Sequence, residues 1–151
     1  MSAKRDKIFP TLQLTDACNK SCNVCLRSPD AAKHRLSFDE LRAYVDDLGR
    51  LSEGYVAKYQ FITGGEPTLW KDTGHDIVDV LATVKATGLV ETLTMPTNGK
   101  LFEDIHVARD LLRRLSDQID GSIVIGVSVA GYQSNLDSNG CRARALSPAL
   151  A

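Results

Sequence analysis

Three cysteines near the start of the chain, Cys18, Cys22 and Cys25, form a CxxxCxxC triplet. Cysteine thiolates are the usual protein ligands of iron-sulfur clusters, and a [4Fe-4S] cluster held entirely by protein has four of them. Three thiolates would hold three irons and leave the fourth iron open to another ligand. The triplet therefore predicts an iron-sulfur site at which a small molecule binds iron directly, with these three cysteines as the metal ligands.

The triplet is also compatible with a structural zinc site and with cysteines that bind no metal. Structural zinc normally takes four Cys or His ligands, commonly as two pairs. This chain has one such group, and a fourth ligand would have to come from a residue at no paired spacing: His34, His75, His106 or Cys141. A ferredoxin-type run has CxxCxxC and a further cysteine before proline, which the chain lacks.

A second motif, here called the GGEP turn, consists of Gly64, Gly65, Glu66 and Pro67. Residues without a Cβ let a ligand approach the backbone closely, and proline stiffens a turn. The Glu66 carboxylate offers an acceptor for an ammonium group. A Gly-Gly pair before proline is also a common way to leave a strand. The functional interpretation therefore depends on the cysteine triplet one strand earlier.

Short apolar strands alternate with amphipathic helices along the chain, which predicts an α/β fold with a parallel sheet. The predicted strands are residues 8–15, 55–63, 89–95 and 122–129. The last is almost continuously apolar, as expected for a strand with both faces covered. The carboxyl ends of parallel strands share one edge of a sheet. We therefore expect the triplet, the GGEP turn, Asn98 and Ser128 to lie together, because each follows or ends a strand.

Three helices are expected between these strands. Ser37 and Glu40 form a capping box that opens the first helix, and Gly49 is well placed to end it. Thr73 is the expected cap of the second helix and Gly88 its stop. The third has an apolar stripe and an arginine-rich solvent face. The stripe is Ile105, Ala108, Leu112 and Leu115, and the arginines are Arg109, Arg113 and Arg114.

CxxxCxxC after the first strand and GGEP after the second together resemble the radical S-adenosylmethionine (SAM) superfamily, over about residues 10–129. The resemblance implies a parallel (β/α) partial TIM barrel in which Cys18, Cys22 and Cys25 ligate a [4Fe-4S] cluster. It implies that the amino and carboxylate groups of SAM chelate the fourth iron.

Further cofactor contacts follow from the same resemblance. The residues of the GGEP turn, Gly64, Gly65, Glu66 and Pro67, would contact the methionine amine of SAM. Asn98 would lie near the cofactor and Ser128 near its ribose, although each also fits a plain turn or strand residue. Val24 stands where many members have an aromatic residue bordering adenine. Backbone contact is possible there, but stacking is not.

The implied function is reductive cleavage of SAM to a 5′-deoxyadenosyl radical that acts on an unidentified substrate. An external electron donor of the flavodoxin or ferredoxin type would be needed. The alternative is a non-catalytic or degenerate module that binds an iron-sulfur cluster or zinc.

Composition limits the range of partners. With 18 basic and 19 acidic residues the net charge is -1, which gives no footprint for nucleic acid or anionic membrane. Neither a signal peptide nor a membrane span is recognisable. Two- and three-residue loops are poor candidates for structural disulfides, so metal-bound thiolates in a reducing cytoplasm are expected.

The length of 151 residues is short for the implied barrel. We expect a core over residues 1–129 with about four βα units and an irregular tail over residues 130–151, truncated or altered at its end. A sheet that ends at the fourth strand would expose an edge through which copies could self-associate. Cys141 lies in the tail and has no assigned role.

Overall fold

The structure, a computed structural model, describes residues 9–20, 25, 34–52 and 57–128. Its elements in chain order are β1 (Thr11–Gln13), α1 (Phe38–Ser52), β2 (Ala57–Thr63), β3 (Lys71–Asp72), β4 (His75–Asp76), α2 (Ile77–Ala86), β5 (Val90–Thr97), α3 (Ile105–Gln118) and β6 (Ser122–Val127). Two short 3-10 helices, Pro67–Leu69 and Lys100–Glu103, follow β2 and β5. The tail predicted after residue 129 lies outside the described residues, so the domain division stays a prediction.

The main sheet has the strand order β1-β2-β5-β6, and every neighbouring pair is parallel. This confirms the predicted α/β fold with a parallel sheet. A run of four strands has the same order in an open sheet and in part of a barrel, so the partial TIM barrel stays a prediction. Strands β3 and β4 form a separate antiparallel hairpin that the sequence did not predict, because each contains two residues and shows no periodicity.

The core lies on one face of the sheet, where α1 packs beside α2 and α2 beside α3. Strand β5 alternates, with Leu93, Met95 and Thr97 buried on that face. Across the opposite face, Phe61, Thr94 and Val124 form one row on three strands. Phe61 is 40% exposed and Val124 is 47% exposed. The prediction that both faces of the last strand are covered is wrong for the described chain.

The start of α1 is as predicted, but the end of α1 and the start of α2 are not. The capping box of α1 is confirmed: the Ser37 hydroxyl accepts the Glu40 N–H at 3.2 Å, and the Glu40 carboxylate accepts the Ser37 N–H at 2.7 Å. The helix continues through Gly49 to Ser52. The cap of α2 is Asp76 rather than Thr73, because Thr73 lies in the β3–β4 turn with φ of 45°.

The remaining boundaries are closer to the prediction. Gly88 follows α2 with φ of 68°, as expected for a helix stop. Strand β5 extends past Met95 to Thr97. Its pairing with β2 ends at Thr94, so Pro96 lies beyond that ladder.

The predicted apolar stripe of α3 is confirmed at Ala108 and Leu115 and wrong at Ile105 and Leu112. Ala108, Leu111 and Leu115 are buried, whereas Ile105 and Leu112 are exposed. Asp104 caps the helix, which makes Ile105 its first residue.

Arg114 is not on a purely solvated face, because its guanidinium binds both carboxylate oxygens of Asp76, at 2.6 and 2.9 Å. In the described part of the chain, no helix is long and apolar enough to cross a membrane.

Candidate active site

A loop between β1 and α1, residues 16–34, carries the cysteine triplet and is closed at its base. The Asp16 N–H donates to the His34 carbonyl at 2.8 Å, and the His34 N–H donates to the Asp16 carboxylate at 2.8 Å. The two residues that flank the loop, Thr15 and Arg35, pair as an antiparallel β-bridge. The two ends of this cysteine loop therefore lie side by side at the edge of the sheet.

Cys18 and Cys25 are free, exposed thiols on the cysteine loop. Cys22 and Val24, both predicted site residues, lie outside the described residues, as does Cys141. Among the described residues, no group of three or more His, Cys, Asp or Glu side chains could hold a metal ion. The three-cysteine ligand set is not tested by that result because it needs Cys22.

The GGEP turn lies directly against the start of the cysteine loop. The Gly65 N–H donates to the Thr15 carbonyl at 2.7 Å, and the Glu66 N–H donates to the Ala17 carbonyl at 2.8 Å. A Cβ on Gly64 would lie 2.7 Å from the Thr15 oxygen, and one on Gly65 would lie 2.4 Å from the Ala17 oxygen. The space left by the missing side chains is thus filled by protein backbone.

This packing changes the reason expected for the two glycines. We predicted that they leave room for a ligand, whereas the structure shows that they let the GGEP turn approach the cysteine loop. Contact between the backbone of this turn and a cofactor stays a prediction. Pro67 is buried and begins the 3-10 helix Pro67–Leu69.

Glu66 is 1% exposed, and both oxygens of its carboxylate accept hydrogen bonds from protein donors. Its Oε1 accepts the Thr68 N–H at 3.2 Å and the hydroxyls of Thr68 and Thr97, each at 2.7 Å. Its Oε2 accepts the Asn98 N–H at 2.7 Å. A carboxylate has about two acceptor sites on each oxygen, so Oε1 is crowded by its three donors, whereas Oε2 keeps one further acceptor site. Glu66 therefore holds two turns together, and its role as an acceptor for an ammonium group stays a prediction.

Asn98 lies between the GGEP turn and the cysteine loop. Its Nδ2 donates to Asn19 Oδ1 at 2.8 Å and to Cys18 Sγ at 3.7 Å. Its Oδ1 accepts the Lys100 N–H at 2.9 Å. The structure thus brings Cys18, the GGEP turn and Asn98 together, as the shared sheet edge predicted.

Ser128 follows β6 at the same edge and is exposed. Its N–H donates to the Thr97 carbonyl at 2.8 Å, which extends the pairing of β5 with β6. Within the described chain, the structure does not join its side chain to Cys18, Glu66 or Asn98 by a hydrogen bond. Its predicted contact with a ribose stays a prediction.

Sequence reasoning missed Thr68, Thr97 and Asn19, which complete the contacts around Glu66 and Asn98. Thr97 is buried and directly precedes Asn98 in the turn after β5. A threonine at the end of an alternating strand was a signal for a buried hydroxyl, but it did not identify the partner. Asn19 gave no signal beyond its position next to Cys18.

A second concave surface is formed by the β3–β4 hairpin and Arg35 and has a volume of about 510 Å³. Its charged side chains support the fold. Arg35 lies 3.3 Å from Asp72, whose carboxylate also accepts the Phe38 N–H at the start of α1. His75, a conceivable zinc ligand, stacks on the Phe38 ring at 3.7 Å and lies in this hairpin rather than in the cysteine loop.

The cysteine donors of the described chain suit an iron-sulfur cluster. Cys18 and Cys25 offer soft sulfur donors, and an amide N–H from Asn98 already points at one of them. Of the three histidines, His34 contributes to the loop base through its backbone, His75 lies in the hairpin and His106 lies in the first turn of α3.

Comparisons with known proteins identify the family to which the chain is similar. A family model described as the radical SAM superfamily matches residues 12–142. A GTP 3′,8-cyclase of Yersinia pestis is 33% identical over 103 residues, covering 66% of this chain and 29% of that relative. A protein of the same name from Edwardsiella ictaluri is 36% identical over 105 residues, covering 66% and 30%. The chain therefore spans about 30% of the length of these curated relatives.

Proposed function

Because this chain belongs to the radical SAM superfamily, whose members use a [4Fe-4S] cluster and SAM, we propose that it catalyses reductive cleavage of SAM. The observation that carries the proposal is the direct bonding of the GGEP turn to the cysteine loop. The Glu66 N–H donates to the Ala17 carbonyl at 2.8 Å, one residue before Cys18. Backbone hydrogen bonds thus join the GGEP turn directly to the chain that leads into the cysteine triplet.

Cys18, Cys22 and Cys25 would hold a [4Fe-4S] cluster, which would supply the electron for reductive cleavage of a carbon-sulfur bond of SAM to methionine and a 5′-deoxyadenosyl radical. The protein's own contribution is to bind, to orient and to exclude water. Cys18, Cys22 and Cys25 are the proposed cluster ligands. The backbone of the GGEP turn is the proposed contact of the methionine amine.

Two further assignments complete the proposed cofactor site. The Val24 backbone is the proposed border of adenine, and Ser128 is the proposed contact of the ribose. Ser128 is supported by its exposed position at the carboxyl end of β6.

The test is anaerobic reconstitution with iron and sulfide, followed by a visible spectrum with and without SAM. A strong reductant is then added and 5′-deoxyadenosine is measured by liquid chromatography. We expect a cluster spectrum that SAM perturbs, and release of 5′-deoxyadenosine. Cys22→Ala should lose the cluster, whereas Cys141→Ala, the matched cysteine control, should keep it.

Each failure of this test has a separate meaning. Zinc without iron would support a structural metal module. An iron-sulfur cluster that SAM does not perturb would support a degenerate or redox module. An unchanged iron content in Cys22→Ala would contradict the ligand assignment. Normal cluster binding with no 5′-deoxyadenosine would contradict turnover by this chain.

For the substrate, we propose a nucleotide related to GTP, on the ground that the relatives are named GTP 3′,8-cyclase. The test compares SAM cleavage with GTP, with ATP and with neither. A rise in 5′-deoxyadenosine that is specific for GTP supports the proposal. Equal cleavage in all three would remove GTP as the substrate and leave SAM cleavage standing.

Further parts of the proposal concern fold, partners and location. The proposed fold is a partial (β/α) barrel, which the family implies and with which the parallel strand order is compatible. A flavodoxin or ferredoxin is the proposed electron donor, and the cytoplasm is the proposed location. Within the described chain β6 is an edge strand, which supports self-association through that edge. Light scattering across a range of protein concentrations tests this last point, because a constant monomer mass would contradict it.

A further inference from the structure

The orientation of the Asn98 amide is fixed by a hydrogen bond that only its oxygen can make. Oδ1 accepts the Lys100 N–H at 2.9 Å, and an amide NH₂ group is not an acceptor. Nδ2 must therefore be the atom that faces the cysteine loop. Its two hydrogens have two acceptors within reach, Asn19 Oδ1 at 2.8 Å and Cys18 Sγ at 3.7 Å.

Hydrogen bonds also hold the main chain around Asn98. The buried Glu66 carboxylate accepts the Asn98 N–H and the hydroxyl of the preceding Thr97, each at 2.7 Å. The same carboxylate is bonded to Thr68 on the 3-10 helix after β2. Asn98 is thus anchored to a buried charge on one side and to the Lys100 backbone on the other.

A hydrogen bond to a sulfur that ligates iron stabilises the more negative, reduced form of a cluster. Such bonds are among the factors that set cluster potentials. An amide N–H aimed at Cys18 Sγ would therefore make the cluster easier to reduce. Both Nδ2 hydrogens already have acceptors, and one of these acceptors is Cys18 Sγ. The Asn98 side chain would therefore act on the cluster through its hydrogen bond to Cys18.

We propose that Asn98 is a positioning residue that raises the reduction potential of the cluster by donating to Cys18 Sγ, and that Glu66 holds it in place. The inference rests on the proposed function, because it requires that Cys18 ligate a [4Fe-4S] cluster. It goes beyond that function by assigning a task to a residue outside the ligand set.

The test measures the midpoint potential of the reconstituted cluster by a redox titration followed by electron paramagnetic resonance, without SAM. Asn98→Asp keeps the shape of the side chain and can still accept the Lys100 N–H, but it replaces the donor with a charged oxygen. Asn98→Ala removes the donor without adding charge. We expect both potentials to shift to more negative values, with the larger shift in Asn98→Asp.

Asn19→Ala is the matched control. It removes the second partner of Nδ2, while the Lys100 N–H still fixes the amide plane and the N–H toward Cys18. Its potential should stay close to that of the unaltered protein. If Asn19→Ala shifted the potential as much as Asn98→Asp does, the shift would not depend on the hydrogen bond to Cys18. That result would contradict the proposal.

Cluster content, measured as iron and sulfide per chain, separates the remaining outcomes. A full cluster with an unchanged potential in both Asn98 variants overturns the proposal. If Asn98→Asp assembles no cluster, Asn98→Ala decides. If neither assembles one, Asn98 is required for assembly and the tuning role is wrong. Absence of a cluster in the unaltered protein would instead overturn the proposed function on which this inference rests.

Discussion

The backbone N–H of Asn98 donates to the carboxylate of Glu66 at 2.7 Å across a separation of 32 residues. This bond joins the turn after β5 to the turn after β2, and the hydroxyl of Thr97 adds a second bond to the same carboxylate at 2.7 Å. The two turns meet at the carboxyl edge of the sheet, beside Cys18. Glu66 therefore joins the two turns from a buried position.

Glu66→Gln should destabilise the fold. A glutamine offers one acceptor oxygen, so its NH₂ group would face either the Asn98 N–H or the donors from Thr68 and Thr97. A buried donor left without an acceptor costs about 1–3 kcal/mol, and we expect a loss in that range. Urea unfolding measures it, with Trp70, the one tryptophan in the sequence, as the fluorescent reporter.

Glu91→Gln is the matched control for that substitution. Glu91 lies on β5 and is exposed. Changes at exposed positions usually alter stability by less than about 0.5 kcal/mol. If Glu66→Gln lowered the free energy of unfolding as little as Glu91→Gln, the role assigned to Glu66 in joining the two turns would be wrong.

Gly65→Ala should be strongly unfavourable for steric reasons. The added Cβ would lie 2.4 Å from the Ala17 oxygen and 2.6 Å from the Asp16 oxygen. Both are backbone atoms at the start of the cysteine loop, so either the loop or the GGEP turn must move. We expect a loss of about 2 kcal/mol or more in urea unfolding, in the range known for overpacked sites.

Gly49→Ala provides a control with the opposite sign. Gly49 lies inside α1, and a Cβ there would meet only Leu89 Cδ1, at an ordinary 3.7 Å. Alanine is favoured over glycine in a helix interior by about 0.5–1 kcal/mol, so this variant should be more stable. A loss of stability in Gly49→Ala, or none in Gly65→Ala, would contradict these two packing arguments.

The Asp76–Arg114 pair should contribute stability that depends on pH. Burial raises the pKa of the Asp76 carboxyl, but hydrogen bonds from Arg114 and from the Val78 and Asp79 backbone outweigh that effect and leave the pKa below its ordinary value. A carboxyl with a lowered pKa in the folded state stabilises the fold above its unfolded pKa, about 3.9. This stabilisation is lost as the pH falls through the lower, folded pKa.

Arg114→Met tests the pair and keeps most of the aliphatic stem. At pH 7 we expect a loss of about 1 kcal/mol, since the pair is partly exposed but bidentate. The difference from the unaltered protein should shrink below about pH 4. Arg113→Met is the control, because Arg113 pairs with Asp110 on an exposed surface and should change little. A pH-independent loss in Arg114→Met would assign the effect to packing.

The sequence predicted the site better than it predicted the details of the fold. CxxxCxxC, GGEP and Asn98 each follow a strand, and the parallel sheet brings Cys18, Glu66 and Asn98 into contact because parallel strands share a carboxyl edge. The task of Glu66 could not be predicted. It depends on donors from Thr68 and Thr97, and residue 97 is distant in the sequence.

The errors in the fold have related causes. Thr73 was a reasonable helix cap by residue type, but the β3–β4 hairpin places Asp76 at that position instead. Leu111 replaces Leu112 in the buried stripe because tertiary contact with α2 selects the face. Arg114 was predicted to be solvated because its partner, Asp76, lies 38 residues earlier and on another element.

Trp70→Phe should loosen the end of the cysteine loop. Trp70 is buried, and its indole N–H donates to the Leu36 carbonyl at 2.7 Å. Leu36 also donates its own N–H to the Leu14 carbonyl at 2.8 Å, which holds the returning chain against the end of β1.

Phenylalanine lacks the donor and leaves the Leu36 carbonyl unpaired, at a cost of about 1–3 kcal/mol. Thermal unfolding followed by circular dichroism measures this loss, because the variant has no tryptophan to report unfolding by fluorescence. Leu69→Ala is the neighbouring control, since Leu69 is exposed and its truncation should cost little. Equal melting temperatures for Trp70→Phe and the unaltered protein would show that this hydrogen bond does not hold the loop.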